Sequence, residues 1–273
     1  MSVQLEALAD EVFDAAAAQG RLGGHSTRRP FGEAIWNPDY PDLFFLNGID
    51  QLVAPGWSVD DFETAVLKTL PGTGQLRAYS RDPITIATLG VALTAAGYRH
   101  EVRVAMVHAF SPSPSGGGSN PPSPSGGGQG GGFRIICVDD EASWSDLEES
   151  IRTDTREHGW GTAMTEQYLA LSRWRAANTP HKFYLAYDRE RAVAHVGLFQ
   201  HGPIAYLHGL YTRPDARRRG AGGALTLAMP AEADAIGSAR LTLQCIDDGY
   251  LPGYYRRLGY RAVGEQHLWN KPV

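Results

Sequence analysis

The sequence predicts an α/β (α+β) protein: a smaller N-terminal α+β domain, then a larger domain in which strands and helices follow one another. Three observations support this prediction. Residues 111–132 consist almost entirely of Ser, Pro and Gly and separate residues 1–110 from residues 133–273. Strand-like and helix-like patterns alternate along the second segment. Within it, an apolar strand ends in an arginine- and glycine-rich turn that opens an apolar helix.

The composition is that of an ordinary globular protein, with 273 residues, 42% apolar residues and 20% charged residues. The net charge of -5 argues against a nucleic-acid partner, which favours a broad basic face. Cys137 and Cys245 are far apart and lie in apolar, strand-like runs. We expect buried thiols in a reducing compartment, because neither a disulfide framework nor a zinc-binding spacing is present.

The first twenty residues predict a surface helix, with Leu5, Leu8 and Val12 at helical spacing. They carry several acidic residues and no basic start, unlike a signal peptide. No apolar run in the sequence approaches the length that spans a membrane. We therefore expect a cytoplasmic protein with no membrane partner.

The rest of the N-terminal domain, residues 1–110, is less regular. Ser58 with Asp61 predicts a helix start, and Leu89–Ala96 predicts a second helix. A strand follows, and the junction between them resembles Leu258–Arg261 in the second domain. Two interpretations remain open: a degenerate copy of the second domain, or an unrelated α+β cap.

Residues 111–132 predict a flexible linker, because Ser, Pro and Gly supply no core and Pro and Gly disfavour helix and strand. As a flexible coil, the segment would span roughly 25 Å, from about 5–6 Å times the square root of its length.

The second domain, residues 133–273, predicts the order β-α-α-β-β-β-α-β-α-β. The strands are expected at Phe133–Val138, Phe183–Tyr187, Val193–Phe199, Ile204–Thr212, Arg240–Cys245 and Tyr260–Trp269. The first helix is expected to start at a capping box of Ser145 and Glu148, and the second to carry Met164, Tyr168, Leu171 and Trp174 on one face. The third is expected to start at Gly220, and the fourth to cover Tyr254–Leu258. Pro230 should kink or end the third helix, and Pro252-Gly253 should delay the fourth.

The segment Leu210–Leu225 contains the most specific pattern, Arg-x-x-Gly-x-Gly from Arg217 to Gly222. N–H groups at a glycine-rich helix start converge on one point, where the helix dipole adds partial positive charge. The arginines add charge-assisted donors, so the segment predicts a pyrophosphate site. An ordinary tight connection is the alternative. A Walker A loop or a dinucleotide fingerprint fits the pattern less well.

The Leu210–Leu225 pattern and the element order together resemble the GNAT acetyltransferases. The resemblance implies the GNAT fold for the second domain, a central mixed, mostly antiparallel sheet flanked by helices. The resemblance implies acetyl-CoA as the acyl donor. Main-chain groups of the strand end would pair with the pantetheine arm, at Leu210, Tyr211 and Thr212. The pyrophosphate would be bound by Arg217, Arg218, Arg219, Gly220, Ala221, Gly222, Gly223 and Ala224.

Tyr255 matches a tyrosine that in this family stands near the thioester sulfur, in a pattern similar to Tyr-x-x-Leu-Gly-Phe. A phenol of ordinary pKa is protonated at neutral pH and can protonate a departing thiolate. Packing of the short helix is the alternative role. The family often has Asn seven residues earlier, where this chain has Asp248.

The base for the acceptor amine is not fixed by the pattern, because Ile204–Thr212 carries no carboxylate. His208 is the candidate, with a structural histidine as the alternative, and Tyr206 lies on the same strand face. Asp247 and Asp248 are candidates for binding a cationic acceptor, and Trp160 for packing on it. The remaining histidines have no metal-site spacing.

These residues predict an acetyl-CoA-dependent N-acetyltransferase in which a primary amine attacks the thioester directly. The acceptor is a small-molecule or protein amine. A non-catalytic acyl-CoA-binding module and an interaction scaffold are the alternatives. The run Asn37–Asp42 is similar to one in actinobacterial acetyltransferases, so a bacterial source is expected. The sequence does not predict the oligomeric state, and a homodimer is one alternative.

Overall fold

A computed structural model describes residues 3–70, 72–108 and 132–272. Nearly all of the predicted linker lies outside these residues. Up to His108 the elements are α1 (Val3–Arg21), β1 (His25–Arg29), β2 (Gly32–Trp36), β3 (Gly48–Asp50), α2 (Val59–Thr69), β4 (Gln75–Ser80), α3 (Pro83–Thr85), α4 (Val91–Ala95) and β5 (Arg99–His108). A π-helical turn, Ile86–Gly90, joins α3 to α4.

The second half has the predicted order of strands and helices. Its elements are β6 (Phe133–Cys137), α5 (Glu141–Glu157), α6 (Thr162–Asn178), β7 (His181–Asp188), β8 (Arg191–His201), β9 (Ile204–Thr212), α7 (Ala221–Ala235), β10 (Arg240–Ile246), α8 (Leu251–Arg257) and β11 (Tyr260–Pro272).

The start of α5 differs from the prediction. Asp140 is the N-cap, and its carboxylate accepts a hydrogen bond from Ser143 N at 2.7 Å. Ser143 Oγ completes the capping box by accepting from Asp140 N at 3.2 Å. The predicted box of Ser145 and Glu148 was therefore wrong. Asp caps a helix as well as Ser does, and here the box closes between Asp140 and Ser143.

The two prolines expected to disturb helices neither end nor delay them. Pro230 lies inside α7, yet the helix continues to Ala235 and buries Met229 and Ala233. Proline removes one backbone hydrogen bond, and here packing on both sides of it maintains the helix. Pro252 and Gly253 lie inside α8, which starts earlier than predicted. Pro252 is in the first turn, where the missing N–H costs nothing.

The chain forms two compact units. Of the described residues, the first unit contains those within 1–106, 244–253 and 262–273, and the second contains those within 107–243 and 254–261. In the first unit, β4 pairs antiparallel with β11 from Gln75↔Pro272 to Ser80↔His267. Its strand order is β1-β2-β3-β4-β11-β5. The C-terminal strand therefore packs with the first unit, although it follows the predicted second domain.

The core of the first unit lies between its sheet, the helices α2 and α4, and the π-helical turn Ile86–Gly90. Phe62, Val66, Leu89 and Leu93 are completely buried there, together with Trp269 of β11. A Cβ added to Gly90 would lie 2.4 Å from Trp269 Cζ2, so this glycine is needed for the ring to fit.

In the second unit the strand order is β10-β9-β8-β7-β6, with β6 to β9 antiparallel and β9 parallel to β10. The β9–β10 ladder covers only Ile204–Leu207 of β9. Beyond it, β9 bulges against β8, because His195 faces Tyr211 whereas Gly197 faces His208. Gly209, at the bulge, has φ +61. Bulges of this kind redirect side chains and often lie beside functional sites.

The first unit repeats the connectivity of the second. In each, three antiparallel strands (β1, β2 and β3, or β7, β8 and β9) lead through one helix to a parallel strand (β4 or β10). A short helical segment and a final strand follow each of these strands. This repetition favours the degenerate copy over the unrelated cap. No helix in the described ranges is long and apolar enough to cross a membrane.

Candidate functional site

The helix α7 starts without a side-chain cap, at Gly220, whose φ is +94. The first hydrogen bond of the helix runs from Ala224 N to Gly220 O, at 2.8 Å. The N–H groups of Ala221, Gly222 and Gly223 therefore have no acceptor within the helix. The first turn also lacks acidic residues. This arrangement favours an anion at the helix start.

The three arginines before α7 have different environments. Arg217 binds Glu157 at 2.7 Å and donates to Thr212 O at 3.0 Å. Arg219 binds Asp188 at 2.5 Å. Arg218 is exposed, has φ 59, and forms no ion pair or side-chain hydrogen bond with any residue in the described ranges. Arg218 is therefore the arginine of the three that is available to a phosphate.

Tyrosines of α8 pack near the start of α7. A Cβ on Gly222 would lie 2.8 Å from Thr212 Oγ1 and 3.5 Å from the Tyr254 hydroxyl. The predicted Tyr255 is 7% exposed, with its ring 5.1 Å from that of Tyr254 and 5.7 Å from that of Tyr260. Tyr254 thus has its hydroxyl closest to the glycines. Tyr254 was not among the predicted site residues, because the family pattern aligns its neighbour.

The end of β9 supplies the predicted main-chain edge. Leu210 and Thr212 are partly exposed, and the β9–β10 ladder has already ended before them. Tyr211 is buried, and its hydroxyl donates to Glu157 at 3.1 Å. Burial and this carboxylate both raise the pKa of Tyr211, which keeps the phenol protonated.

His208 packs tightly in the second unit. Its Nε2 lies 2.6 Å from His181 Nε2, and a Cβ on Gly197 would lie 2.3 Å from its ring. Burial, and then the neighbouring His181 and Arg175, hold the pKa of His208 well below its usual range. The imidazole is therefore neutral and a weak base. Tyr206 is on the same strand face, as predicted, but it is buried, and its ring is 6.2 Å from that of His208.

A carboxylate on α5, which the sequence analysis missed, lies close to the bulge of β9. Asp154 is 2.9 Å from His158 Nδ1 and 3.8 Å from His195 Nε2, and its side chain is 20% exposed. Burial raises the pKa of Asp154 to about 6, although His158 opposes the shift. An acidic residue inside a predicted helix gives no sequence signal of such a position.

Trp160 lies in the same part of the second unit. Its ring is 5.7 Å from that of Tyr168 on α6. The Tyr168 hydroxyl lies 3.6 Å from the position of a Cβ on Gly209, at the bulge. Burial and then the charge of Asp154 raise the pKa of Tyr168 to about 12. Tyr168 was predicted only as part of a helix face.

Asp247 and Asp248 belong to the first unit. Asp248 accepts hydrogen bonds from Tyr250 N at 2.9 Å and Leu251 N at 2.7 Å, and the bond to Leu251 N lowers its pKa. The carboxylate therefore caps the start of α8. Asp247 is exposed, and its backbone N–H donates to Val102 O at 2.9 Å.

Both cysteines are free thiols. Cys245 is buried, as predicted, but Cys137 is partly exposed, and burial raises its thiol pKa. Among the residues that the model describes, no three His, Cys, Asp or Glu side chains are grouped to hold a metal ion.

Residues 144–260 match the model of the Acetyltransferase (GNAT) family. No curated protein sequence matches the chain. Three solved structures with similar folds are a conserved protein of unknown function from Staphylococcus epidermidis and GCN5-related N-acetyltransferases from Kribbella flavida and Sphaerobacter thermophilus. The Staphylococcus protein has a TM-score of 0.68 at 13% identity, over 91% of this chain and 94% of its own.

The Kribbella enzyme has a TM-score of 0.60 at 17% identity, over 97% of this chain and 96% of its own. The Sphaerobacter enzyme has a TM-score of 0.52 at 15% identity, over 91% and 76% of the two chains. At these identities the likeness concerns the fold, and it includes the N-terminal half. The predicted fold is confirmed, and residues 144–260 of this chain form a domain of the acetyltransferase (GNAT) family.

Proposed function

We propose that this chain transfers an acetyl group from acetyl-CoA to a primary amine. The observation that carries the proposal is the uncapped start of α7, whose free N–H groups follow Arg218. A diphosphate is the complementary ligand, because it offers acceptor oxygens and two or more negative charges. The exposed main-chain edge at Leu210 and Thr212 would accept the amide-containing arm that follows the pyrophosphate in coenzyme A.

The proposed chemistry is direct transfer. The amine nitrogen attacks the thioester carbonyl, a C–N bond forms, the C–S bond breaks, and the thiolate takes up a proton. No covalent intermediate on the protein is proposed: Cys245 is buried, and the raised pKa of Cys137 keeps that thiol protonated and a poor nucleophile.

We propose Tyr255 as the acid that protonates the thiolate. Its position on α8, which packs near the start of α7, supports this role. Tyr254 is the competing candidate, because its hydroxyl lies beside Gly222 and Gly223. Replacing each tyrosine with Phe separates the two. The variant that lacks the true acid should show a lower transfer rate, while its acetyl-CoA affinity stays within about twofold of wild type.

On the acceptor side, we propose Trp160 and Tyr206 as parts of the surface that receives the amine, with His208 as a hydrogen-bonding group. Because its pKa is low, His208 remains a neutral imidazole, which can form a hydrogen bond with the amine but contributes no charge. Asp247 remains a proposed contact for a cationic acceptor. Asp248 would contribute its charge while capping α8.

Calorimetry with acetyl-CoA tests the donor site. We expect binding, and we expect Arg218→Ala to weaken it about 10-fold, from the loss of one charge-assisted contact. The matched control is Arg191→Ala, because Arg191 is exposed and paired with Asp215 at 2.5 Å. Equal affinity in wild type and Arg218→Ala would remove the arginine from the site.

Release of free thiol from acetyl-CoA, measured with a panel of primary amines, tests turnover. Transfer to at least one amine supports the enzyme. Binding without transfer to any amine favours the non-catalytic acyl-CoA-binding module, and absence of binding favours the interaction scaffold.

A further inference from the structure

We propose that Asp154 is the catalytic base of the transfer, taking the proton from the acceptor amine as the amine attacks. This inference rests on the proposed function and names the group that β9 does not supply. No residue of β9 carries a carboxylate, and its only imidazole, His208, is a weak base.

The position of Asp154 in the second unit supports its role as the base. It lies on α5 above the pair of β8 and β9, with its carboxylate 3.8 Å from His195 Nε2. His195 pairs with Tyr211, the first residue in register after the bulge. Past the bulge, the partly exposed end of β9 continues to Thr212 and then to the start of α7. Asp154 therefore lies beside the strand segment along which the thioester arm would run.

The surroundings of Asp154 also support this role. His195 is neutral, because burial lowers its pKa to about 4. Its Nδ1 lies 2.8 Å from Ser150 Oγ. If that hydroxyl donates to Nδ1, the Nε2–H group faces the carboxylate and stabilises its ionised form.

Other titratable and charged groups act on Asp154 from α5, from the segment before α7 and from α6. Glu157, also on α5, opposes ionisation, whereas His158 and Arg217 favour it. Tyr168 of α6 contributes a protonated phenol. The balance leaves a pKa of about 6, so the carboxylate is ionised at neutral pH yet more basic than an ordinary Asp.

The proton has a route out of the site. An acceptor ammonium is attracted to the carboxylate, and one N–H proton passes to Asp154 Oδ as the nitrogen attacks the thioester carbon. The second proton that the nitrogen loses in becoming an amide replaces the one that the tyrosine gives to the departing thiolate. The Asp154 side chain is 20% exposed, so the carboxyl group can release that proton directly to water. The carboxylate is then ready for the next acceptor.

The test compares wild type with Asp154→Asn, Asp154→Glu and the control Glu141→Gln. Glu141 is on the same helix, with a side chain 84% exposed. For each protein, kcat/KM is measured against pH with an amine that the wild type accepts, and the acetyl-CoA Kd is measured by calorimetry. We expect Asp154→Asn to lose about 100-fold or more in kcat/KM. We expect its Kd to stay within about twofold.

The pH profile distinguishes a base from a structural group. In the wild type the rate should rise with pH through about 6, where Asp154 ionises, and this rise should be absent in Asp154→Asn. Asp154→Glu should restore part of the rate. Because Asn is uncharged in a mostly buried place, Asp154→Asn should unfold at no lower a temperature than wild type.

The outcomes separate the two proposals. If the wild type transfers the acetyl group and Asp154→Asn does so at the same rate and with the same pH profile, this inference alone is overturned. A wild type that binds acetyl-CoA and acetylates no amine overturns the proposed function, and this inference with it.

Discussion

The helices α2 and α7 hold the same place in the two units, after the third strand and before the parallel strand, yet they start in opposite ways. At α2, Ser58 Oγ accepts from Asp61 N at 3.1 Å, and Asp61 accepts from Ser58 N at 3.0 Å. Asp60 adds a second carboxylate to the first turn. At α7 the same N–H positions are open and follow Arg218. A helix start that carries its own carboxylates and cap does not attract a phosphate, which is why we propose the acetyl-CoA site in the second unit.

The buried charges of the units differ in a similar way. In the first unit, Asp50 is 7% exposed, and burial raises its pKa to about 6. Arg77 is 3% exposed, stacks near the rings of Phe44 and Tyr79, and burial lowers its pKa. These groups lie in a packed interior. In the second unit, Asp154 has the same pKa but lies beside an exposed strand edge. The same shift therefore has a structural origin in one unit and a proposed use in the other.

The largest expected effect, on acetyl-CoA affinity, comes from placing a carboxylate in the first turn of α7, as in α2. Gly223 is the third residue of α7, the position that Asp61 holds in α2, and a Cβ there meets only the Tyr254 hydroxyl at 3.8 Å. Gly223→Asp should weaken acetyl-CoA binding on the order of 100-fold, because a carboxylate occupies the anion site. It should not lower the unfolding temperature, since a carboxylate in a first turn is favourable.

The matched control for Gly223→Asp is Asp61→Gly in α2. It should leave the acetyl-CoA affinity unchanged. If calorimetry shows Gly223→Asp binding as tightly as wild type, the open start of α7 is not the donor site.

Asp50→Asn should stabilise the protein at neutral pH. The folded pKa of about 6 lies above the ordinary 3.8, so burial of this group costs nothing below pH 4 and becomes destabilising as pH rises through 6. A pKa difference of about 2 corresponds to about 3 kcal/mol of unfolding free energy as an upper bound. Urea unfolding at pH 4.5 and pH 7.5 should show a gain in the variant that grows with pH, with unchanged transfer activity. A gain independent of pH would contradict the assignment.

Two glycines provide a matched pair of packing tests. Gly197→Ala places a methyl group 2.3 Å from the His208 ring, and Gly90→Ala places one 2.4 Å from Trp269. Each should cost roughly 1–3 kcal/mol by overpacking. Only Gly197→Ala should also lower the transfer rate, because only that change displaces a group of the proposed site. Equal rate losses in both variants would mean that stability alone accounts for the effect.

The smallest effect is expected from Ser58→Ala. Losing the N-cap of α2 should cost about 1 kcal/mol of stability. The acetyl-CoA affinity should not change, which calorimetry and thermal unfolding together would establish. A weaker affinity would show that the first unit contributes to the donor site.

Local patterns predicted most of the fold of the second domain and the donor-side motif. The strands of 133–273 followed apolar runs, and the Arg217–Gly222 pattern marked the start of α7 because it needs only neighbouring residues. The start of α5 was misplaced, since Asp140 and Ser145 are equally good caps in isolation.

The acceptor side could not be predicted from sequence in the same way. Asp154, Tyr168 and His195 come from three separate elements and meet only when α5 and α6 pack on the sheet. Their pKa shifts depend on burial, which no spacing encodes. The β4–β11 pairing was missed for the same reason, because nothing in either segment specifies its partner.

That pairing has a consequence for how the chain is made. Synthesis proceeds from the N-terminus, so β4 emerges from the ribosome long before β11, its partner from Gln75 to Ser80. The first unit cannot complete its sheet, or seat Trp269 in its core, until nearly all of the later residues have been translated. During that interval, β4 presents an unpaired strand edge that is open to pairing with other chains. A segment ending near residue 110 would retain that exposed edge permanently.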